Sequence, residues 1–305
     1  MSEHPRLAGL VARARERAHG RPPALALVHP GDPLAMQAAA AIRDAGVARP
    51  LLIGDREEIL RAAGLAEVDV RDFEMIATDA GGPAAALRAT ELAREGAVSM
   101  LMKGSLHTDE LMSAVVNKAT GLRGDRRISH AFVFDLPRYH KLIALADCVV
   151  NIAPDLKTKH HIVGNAVQML QRIGIVQPKV GVVAAVESVN PSIPATLDAQ
   201  ALVQAASEGH WPEAIVEGPF GFDNAFSAEA ARIKRIESQV AGDADLLVMP
   251  DLNAGNMLYK SFVYVGGGDC AGLVLGAKVP VVLTSRADSQ QARLASVALG
   301  VLSSG

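Results

Sequence analysis

Short apolar runs alternate with amphipathic stretches along most of this 305-residue chain. The strand-like runs are ALALVH (24–29), PLLIG (50–54), FEMIA (73–77), VSMLMKG (98–104), HAFVFDL (130–136), LADCVVNI (145–152), KVGVVAAV (179–186), AIVEG (214–218), LLVMP (246–250) and VPVVLTS (279–285). Between most of them the spacing predicts helices over 33–45, 56–63, 83–95, 108–118, 155–173, 195–208, 226–240, 253–262 and 288–301. Such alternation predicts an α/β fold of βα units around a mostly parallel sheet. Helix starts carry candidate caps: Thr108 before DELMSAVV, Asp155 before LKTKHHIVGNAVQML, and Asp251 or Asn253 before the helix containing Met257.

The length suits two domains, and a polar break follows NIAP near residue 150. The expected division is 1–150 together with 279–305 as one α/β domain, and 151–278 as an inserted second one. A chain that leaves a domain and returns puts its last strand end at the hinge side of an interdomain cleft, a common ligand site.

Composition narrows the classes. Hydrophobic residues are 50% and charged residues 21%, which excludes a disordered chain. Aromatics are only 4%, so the expected core is Ala, Val, Leu and Ile. A net charge of -3 gives no electrostatic case for a nucleic-acid partner, although Arg13, Arg15 and Arg17 cluster on an expected surface helix. Cys148 and Cys270 lie in or near apolar runs and read as buried reduced thiols. The N-terminus lacks the apolar core of a signal peptide, and no apolar run reaches the ~20 residues of a membrane span. The expectation is a cytoplasmic protein with no membrane partner.

Candidate chemistry sits where strands end. Ser285 and Arg286 follow VPVVLT: an arginine there can clamp a phosphate or carboxylate, and the serine adds a hydroxyl beside a helix start. The plainer alternative is a surface arginine next to a cap. Asp288 can act as a general base, or can form a capping box with Gln291. In PDLNAGNMLYK, Asn253 and Asn256 offer amides, Gly255 permits close backbone approach, and Lys260 lies about one turn on; an ordinary helix start explains the same residues. Lys103, Ser105 and His107 occupy a third strand-to-helix junction that suits anions, with His107 as an acid–base candidate or a solvated cap. Arg126, Arg127, Ser129 and His130 precede the strand at 130, and Arg127 can hold a phosphate or simply stay hydrated. The glycine clusters at 217–227 and 265–269 fit neither the dinucleotide fingerprint nor a triphosphate-binding loop. His160 and His161 are adjacent and point to different helix faces, which argues against a metal site. There is no G-x-S-x-G elbow.

Taken in order, LMKGSLHTDELMSAVVNK, GLRGDRRISHAFVFDLPRYHKLIALADCVVNIAPDLKTK, NAVQML, VEGPFGFDNAFS, ADLLVMPDLNAGNMLYKSF and VPVVLTSRADS resemble the phosphate acetyltransferase and phosphate butyryltransferase family, nearer its butyryltransferase branch. The resemblance runs from about residue 24 to the last helix. It implies reversible transfer of a short acyl group between coenzyme A and inorganic phosphate. It also implies a two-domain fold like that of isocitrate and isopropylmalate dehydrogenases, an active site in the interdomain cleft, and a homo-oligomer. Coenzyme A enters as a substrate, and no tightly bound cofactor or metal is expected. In the acetyltransferase branch a Ser-Arg pair at the place of Ser285 and Arg286 serves the site. That branch has a catalytic aspartate seven residues after the serine, where this chain has Ala292; Asp288 is the nearest substitute. Two other readings stay open. One is a metal- and NAD-dependent decarboxylating dehydrogenase of the same fold, for which Asp243, Asp245 and Asp251 would be the acidic candidates. The other is an acyl-CoA-binding sensor or subunit that has lost its base.

Overall fold

The computed structural model describes residues 3–304 apart from 286. In chain order it opens with α1 (Pro5–Ala18), β1 (Ala24–Val28), α2 (Pro33–Asp44), β2 (Arg49–Gly54), α3 (Arg56–Leu65), β3 (Glu74–Ala77), α4 (Gly82–Arg94), β4 (Met100–Lys103) and α5 (Thr108–Val115). Next come β5 (Ser129–Asp135), β6 (Ile143–Ala146), α6 (Leu156–Arg172), β7 (Lys179–Val183), α7 (Pro194–Ser207), β8 (Ile215–Phe220), α8 (Phe222–Phe226) and α9 (Ala228–Ile233). The chain continues with β9 (Leu246–Val248), α10 (Leu252–Tyr264), β10 (Asp269–Leu275), β11 (Val281–Val282) and α11 (Gln290–Ser303).

The chain forms two compact units. The first comprises residues 7–128 and those from 271 onward; the second comprises the residues through Arg6 and 129–270. The sequence expectation put these changes at 150 and 279. The earlier change falls before β5 because β5 pairs with β6 along Ala131–Phe134, which ties both to the second unit.

In the first unit the strand order is β3-β2-β1-β4-β11-β10. The first five run parallel, and β10 is antiparallel to β11. β1 and β4 are buried almost throughout, which is why they read as unbroken apolar runs. The core is aliphatic, built on Leu25, Leu27, Met36, Leu52, Ile53, Met100 and Leu101. α11 is buried from Ala292 to Ser303 except Leu294. Arg17, expected merely to face solvent, donates to Leu302 O at 2.8 Å and Ser304 O at 2.6 Å. A cation at the carbonyl end of a helix complements its dipole and satisfies its last acceptors.

In the second unit the order is β5-β6-β9-β7-β8, with only β5 antiparallel. Its core differs from the aliphatic expectation. Phe132, Phe134, Tyr139, Phe220 and Phe262 pack in one cluster with Cys148 and Cys270. Phe73 is the sole aromatic of the first unit, so the low overall content hides a concentrated aromatic core in the second. Both cysteines are buried thiols outside any disulfide, and burial pushes the Cys148 thiol up, away from reactivity.

Several elements depart from expectation for local reasons. The run 145–152 stays extended only to Ala146, because the Asp147 side chain then accepts from Val149 N and Val150 N and turns the chain. The helix expected over 226–240 is cut down to α9: the Ser227 hydroxyl accepts from Ala230 N at 3.3 Å and starts it, and it ends at Ile233. β10 was missed: DCAGLVL follows a glycine triplet that reads as a turn. In β11 only Val281 and Val282 pair as strand. The N-cap of α5 is His107, one residue before Thr108. Asp155 and Asp251 cap as read, accepting from Thr158 N at 2.8 Å and Ala254 N at 3.0 Å.

Candidate functional site

β4 and β11 lie side by side and parallel, with Met102 opposite Val282. Their C-terminal ends therefore release residues 103–105 and Thr284 and Ser285 at the same edge of the first unit's sheet, where open α/β sheets present ligand-binding residues. β1 ends at that edge too, with Val28 opposite Lys103.

Ser105 is spent on architecture. Its hydroxyl donates to His29 O at 2.7 Å and accepts from Gly31 N at 2.9 Å, pinning the turn after β1 to the turn after β4. Gly104 has to be glycine, because a Cβ there would stand 2.4 Å from Val28 O. Lys103 folds back so that its ammonium donates to Gly104 O at 3.3 Å and Leu106 O at 3.2 Å. His107 is exposed, and its backbone N–H donates to Glu110 Oε2 at 2.7 Å. Arg127 is exposed in a segment that Gly124 N–H ties to Gly276 O at 3.2 Å.

The turn after β11 is held by its own side chains. Ser285 N–H donates to Asp288 Oδ2 at 2.7 Å, and Asp288 N–H donates back to Ser285 O at 3.2 Å. Ser285 Oγ accepts from Ala287 N–H at 3.3 Å, and among the described residues its own proton has no acceptor. Ser285 is exposed and Asp288 half-buried. The capping-box expectation for Asp288 and Gln291 is corrected: Ser289 caps α11, accepting from Ala292 N at 2.9 Å, because Asp288 already serves the turn. Arg286 lies outside the described residues. Arg293 was not anticipated. It is buried, and its guanidinium donates to Ser285 O at 2.8 Å and Asp288 O at 3.4 Å. An arginine amid the apolar run ARLASVALGVL was the available signal.

A second polar cluster belongs to the second unit. Asp147, only 3% exposed, takes four donors: His130 N and Asn151 Nδ2 on Oδ2, and Val149 N and Val150 N on Oδ1. Gly255 and Asn256 serve this turn. A Cβ on Gly255 would lie 2.6 Å from Asp147 O, and Asn256 Nδ2 donates to Cys148 O at 3.2 Å. Both residues thus dock the start of α10 on the turn after β6, whereas Asn253 and Lys260 are exposed. Asn165 Nδ2 reaches Ser129 Oγ at 2.9 Å. His130 is fully buried with neither ring nitrogen hydrogen-bonded, its ring set edge-on against Phe132 at 4.4 Å. Burial lowers its pKa to about 4, against the opposing pull of Asp147, so the ring is neutral near pH 7. An aspartate and an asparagine inside LADCVVNI were the sequence signals for this cluster.

The acidic residues considered for a metal are otherwise engaged. Asp243 pairs with Lys179 at 2.5 Å, Lys141 at 2.9 Å and His140 at 2.7 Å; burial raises its pKa, and these bonds more than offset that, holding it below the ordinary carboxylate range. Asp245 pairs with Lys141 at 2.7 Å, and Asp251 caps α10. Among the described residues no three His, Cys, Asp or Glu side chains gather as a metal site. No helix among them is long and apolar enough to cross a membrane.

The described edge brings the ends of β1, β4 and β11 together, with Lys103 and Ser285 among the residues there. Residues 82–301 match the family described as Phosphate acetyl/butaryl transferase. A phosphate acetyltransferase of Rhizobium meliloti is 46% identical over 294 residues, covering 96% of this chain and 92% of that protein. A phosphate butyryltransferase of Clostridium acetobutylicum is 40% identical over 268 residues, covering 87% and 89%. The crystal structure of a branched-chain phosphotransacylase from Enterococcus faecalis V583 superposes with a TM-score of 0.82 at 29% identity, covering 92% of this chain and 98% of that one. The chain belongs to the phosphate acetyltransferase and phosphate butyryltransferase family, and is an acyltransferase. The dehydrogenase and sensor readings find no support.

Proposed function

We propose that the chain transfers a short acyl group, acetyl to butyryl, between coenzyme A and inorganic phosphate without a covalent enzyme intermediate. The thiolate of coenzyme A attacks the carbonyl carbon of an acyl phosphate. The C–S bond forms, the C–O bond to phosphate breaks, and phosphate leaves with the bonding electron pair. The reverse direction runs through the same tetrahedral intermediate. Holding both substrates together supplies much of the acceleration. A thiol with a pKa near ~8.5 is only a few per cent ionised at neutral pH, so a positive field that favours the thiolate raises the rate.

Ser285 carries this reading: a hydroxyl with an unclaimed proton, on a turn held by Asp288, at the sheet edge where Lys103 also ends a strand. It donates to the oxyanion of the tetrahedral intermediate, for which one well-placed donor contributes about 3–4 kcal/mol. Arg286 grips the phosphate through its planar fork of donors. Asp288, whose Oδ2 accepts the Ser285 amide, is the nearest substitute in sequence for the aspartate that Ala292 replaces, and serves as the base. Lys103, His107, Arg127, Asn253 and Lys260 are the further candidates for holding phosphate and coenzyme A. Ser105, Gly255 and Asn256 shape the turns that carry them. The cleft of an isocitrate or isopropylmalate dehydrogenase-like arrangement and a homo-oligomer rest on the family resemblance, and a cytoplasmic location rests on the hydropathy pattern of the sequence.

The test is release of free thiol from acetyl-, propionyl- and butyryl-CoA with and without phosphate. Turnover should require phosphate, and Arg286→Ala should lower kcat/KM more than about tenfold. Phosphate-independent release, or an unchanged R286A, removes this assignment.

A further inference from the structure

Arg293 combines features that stability alone does not favour. It sits at the fourth residue of α11, near the positive end of the helix dipole, and is 8% exposed. A cation there opposes the dipole and loses hydration. Its side chain turns back toward the helix start, as helical side chains do. From there its guanidinium donates to Ser285 O at 2.8 Å and Asp288 O at 3.4 Å. Ser285 O also receives Asp288 N–H at 3.2 Å, and Ser285 N–H is held by Asp288 Oδ2 at 2.7 Å. Both backbone polar groups of Ser285 are thereby fixed.

We propose that Arg293 is a positioning residue for acyl transfer: it touches no substrate, and locks the 285–288 turn so that Ser285 meets the reacting carbonyl in one orientation. This rests on the reading above that Ser285 and Arg286 act on the reacting groups. It also gives a use to the end of α11 where the acetyltransferase branch has its aspartate. Ala292 is 4% exposed with its N–H taken by Ser289, so that position contributes packing, and its neighbour Arg293 contributes order.

The experiment is steady-state acyl transfer by the full chain with phosphate varied, for R293M, R293K, S285A, R286A and S285A combined with each Arg293 variant. R293M should lose about tenfold or more in kcat/KM, since small misplacement of a catalytic group is costly. R293K, which replaces a forked donor by a single ammonium, should recover part of that loss. If Arg293 works through Ser285, the double variants should be no slower than the slower single variant. Losses that multiply in the double variants, or wild-type kinetics in the Arg293 variants, overturn the proposal. Where R293M fails to fold, R293K and its double with S285A decide by the same criterion. Wild-type kinetics in both S285A and R286A would sink the underlying assignment together with this one. A crippled R286A beside wild-type-like R293K and R293M would sink the role of Arg293 alone.

Discussion

The carboxylate of Asp147 accepts the side-chain amide of Asn151 at 2.7 Å, four residues on, and this bond closes the turn that ends β6. The same buried group also takes three backbone N–H donors, from His130, Val149 and Val150. Removing it strands two buried donors, His130 N and Asn151 Nδ2, along with two part-buried ones, and each stranded buried group costs about 1–3 kcal/mol. Asp147→Ala should therefore destabilise by more than about 3 kcal/mol. Asp147→Asn, which keeps one accepting oxygen, should lose less. Urea unfolding of the two variants beside the parent checks the order; equal, small losses would show that the turn stands without Asp147.

His130 makes stability depend on pH. Its folded pKa of about 4 lies below the ordinary value near 6.5, so the unfolded chain binds the proton first. The stability tied to the neutral ring is complete above pH 6.5 and drains away as pH falls toward 4, by up to on the order of 3 kcal/mol. His130→Phe should flatten that part of the pH profile. It should not cost stability at neutral pH, because the ring nitrogens have no partners to lose. Melting temperatures across pH 4–7 for parent and variant give the answer; identical slopes would rule His130 out as the source.

Lys159 and Asp198 form an unequal pair at 2.6 Å, with the lysine side chain 6% exposed and the aspartate 26%. Asp198→Ala leaves an ammonium buried without a counter-charge and should cost about 3–5 kcal/mol. Lys159→Met fills similar volume and leaves a carboxylate that water can reach, so its cost should be smaller. Reversal of that order in chemical denaturation would mean that the aspartate, not the lysine, bears the greater desolvation.

Two helical glycines should respond oppositely to alanine. At Gly255 the new Cβ would meet Asp147 O at 2.6 Å and Cys148 Sγ at 3.1 Å, so Gly255→Ala should destabilise by about 1–3 kcal/mol. At Gly64, in α3, a Cβ meets nothing within 4 Å, and Gly64→Ala should stabilise by about 0.5–1 kcal/mol. A paired thermal-melting measurement decides both; a tolerated Gly255→Ala would show that α10 can slide away from the β6 turn.

Much of this fold was legible because parallel strands buried on both faces read as unbroken apolar runs, as in LALV of β1 and LLV of β9. The same property misled at β6. Hydrophobicity continues through Cys148, Val149 and Val150, and cannot report that Asp147 has bent the chain. At β10 the opposite happened, since three glycines announced a turn and masked the strand beside it. The Ser285 turn was visible as polar residues at a strand end. Its cap was misplaced by one residue because Asp288 and Ser289 are both good N-caps and only packing chooses between them. Arg293 escaped notice because helical periodicity says which face is apolar, not which cation can fold inward to meet a distant carbonyl.

The place of β11 in its sheet bears on how the protein is made. It lies between β4 and β10, yet follows β4 in the chain by well over a hundred residues. During synthesis from the N-terminus, Leu101 and Met102 must present an unpaired edge until Val281 and Val282 leave the ribosome. The second unit's strands, from Ser129 to Val248, are complete well before that. The half-made first unit is therefore the stretch most in need of chaperone cover.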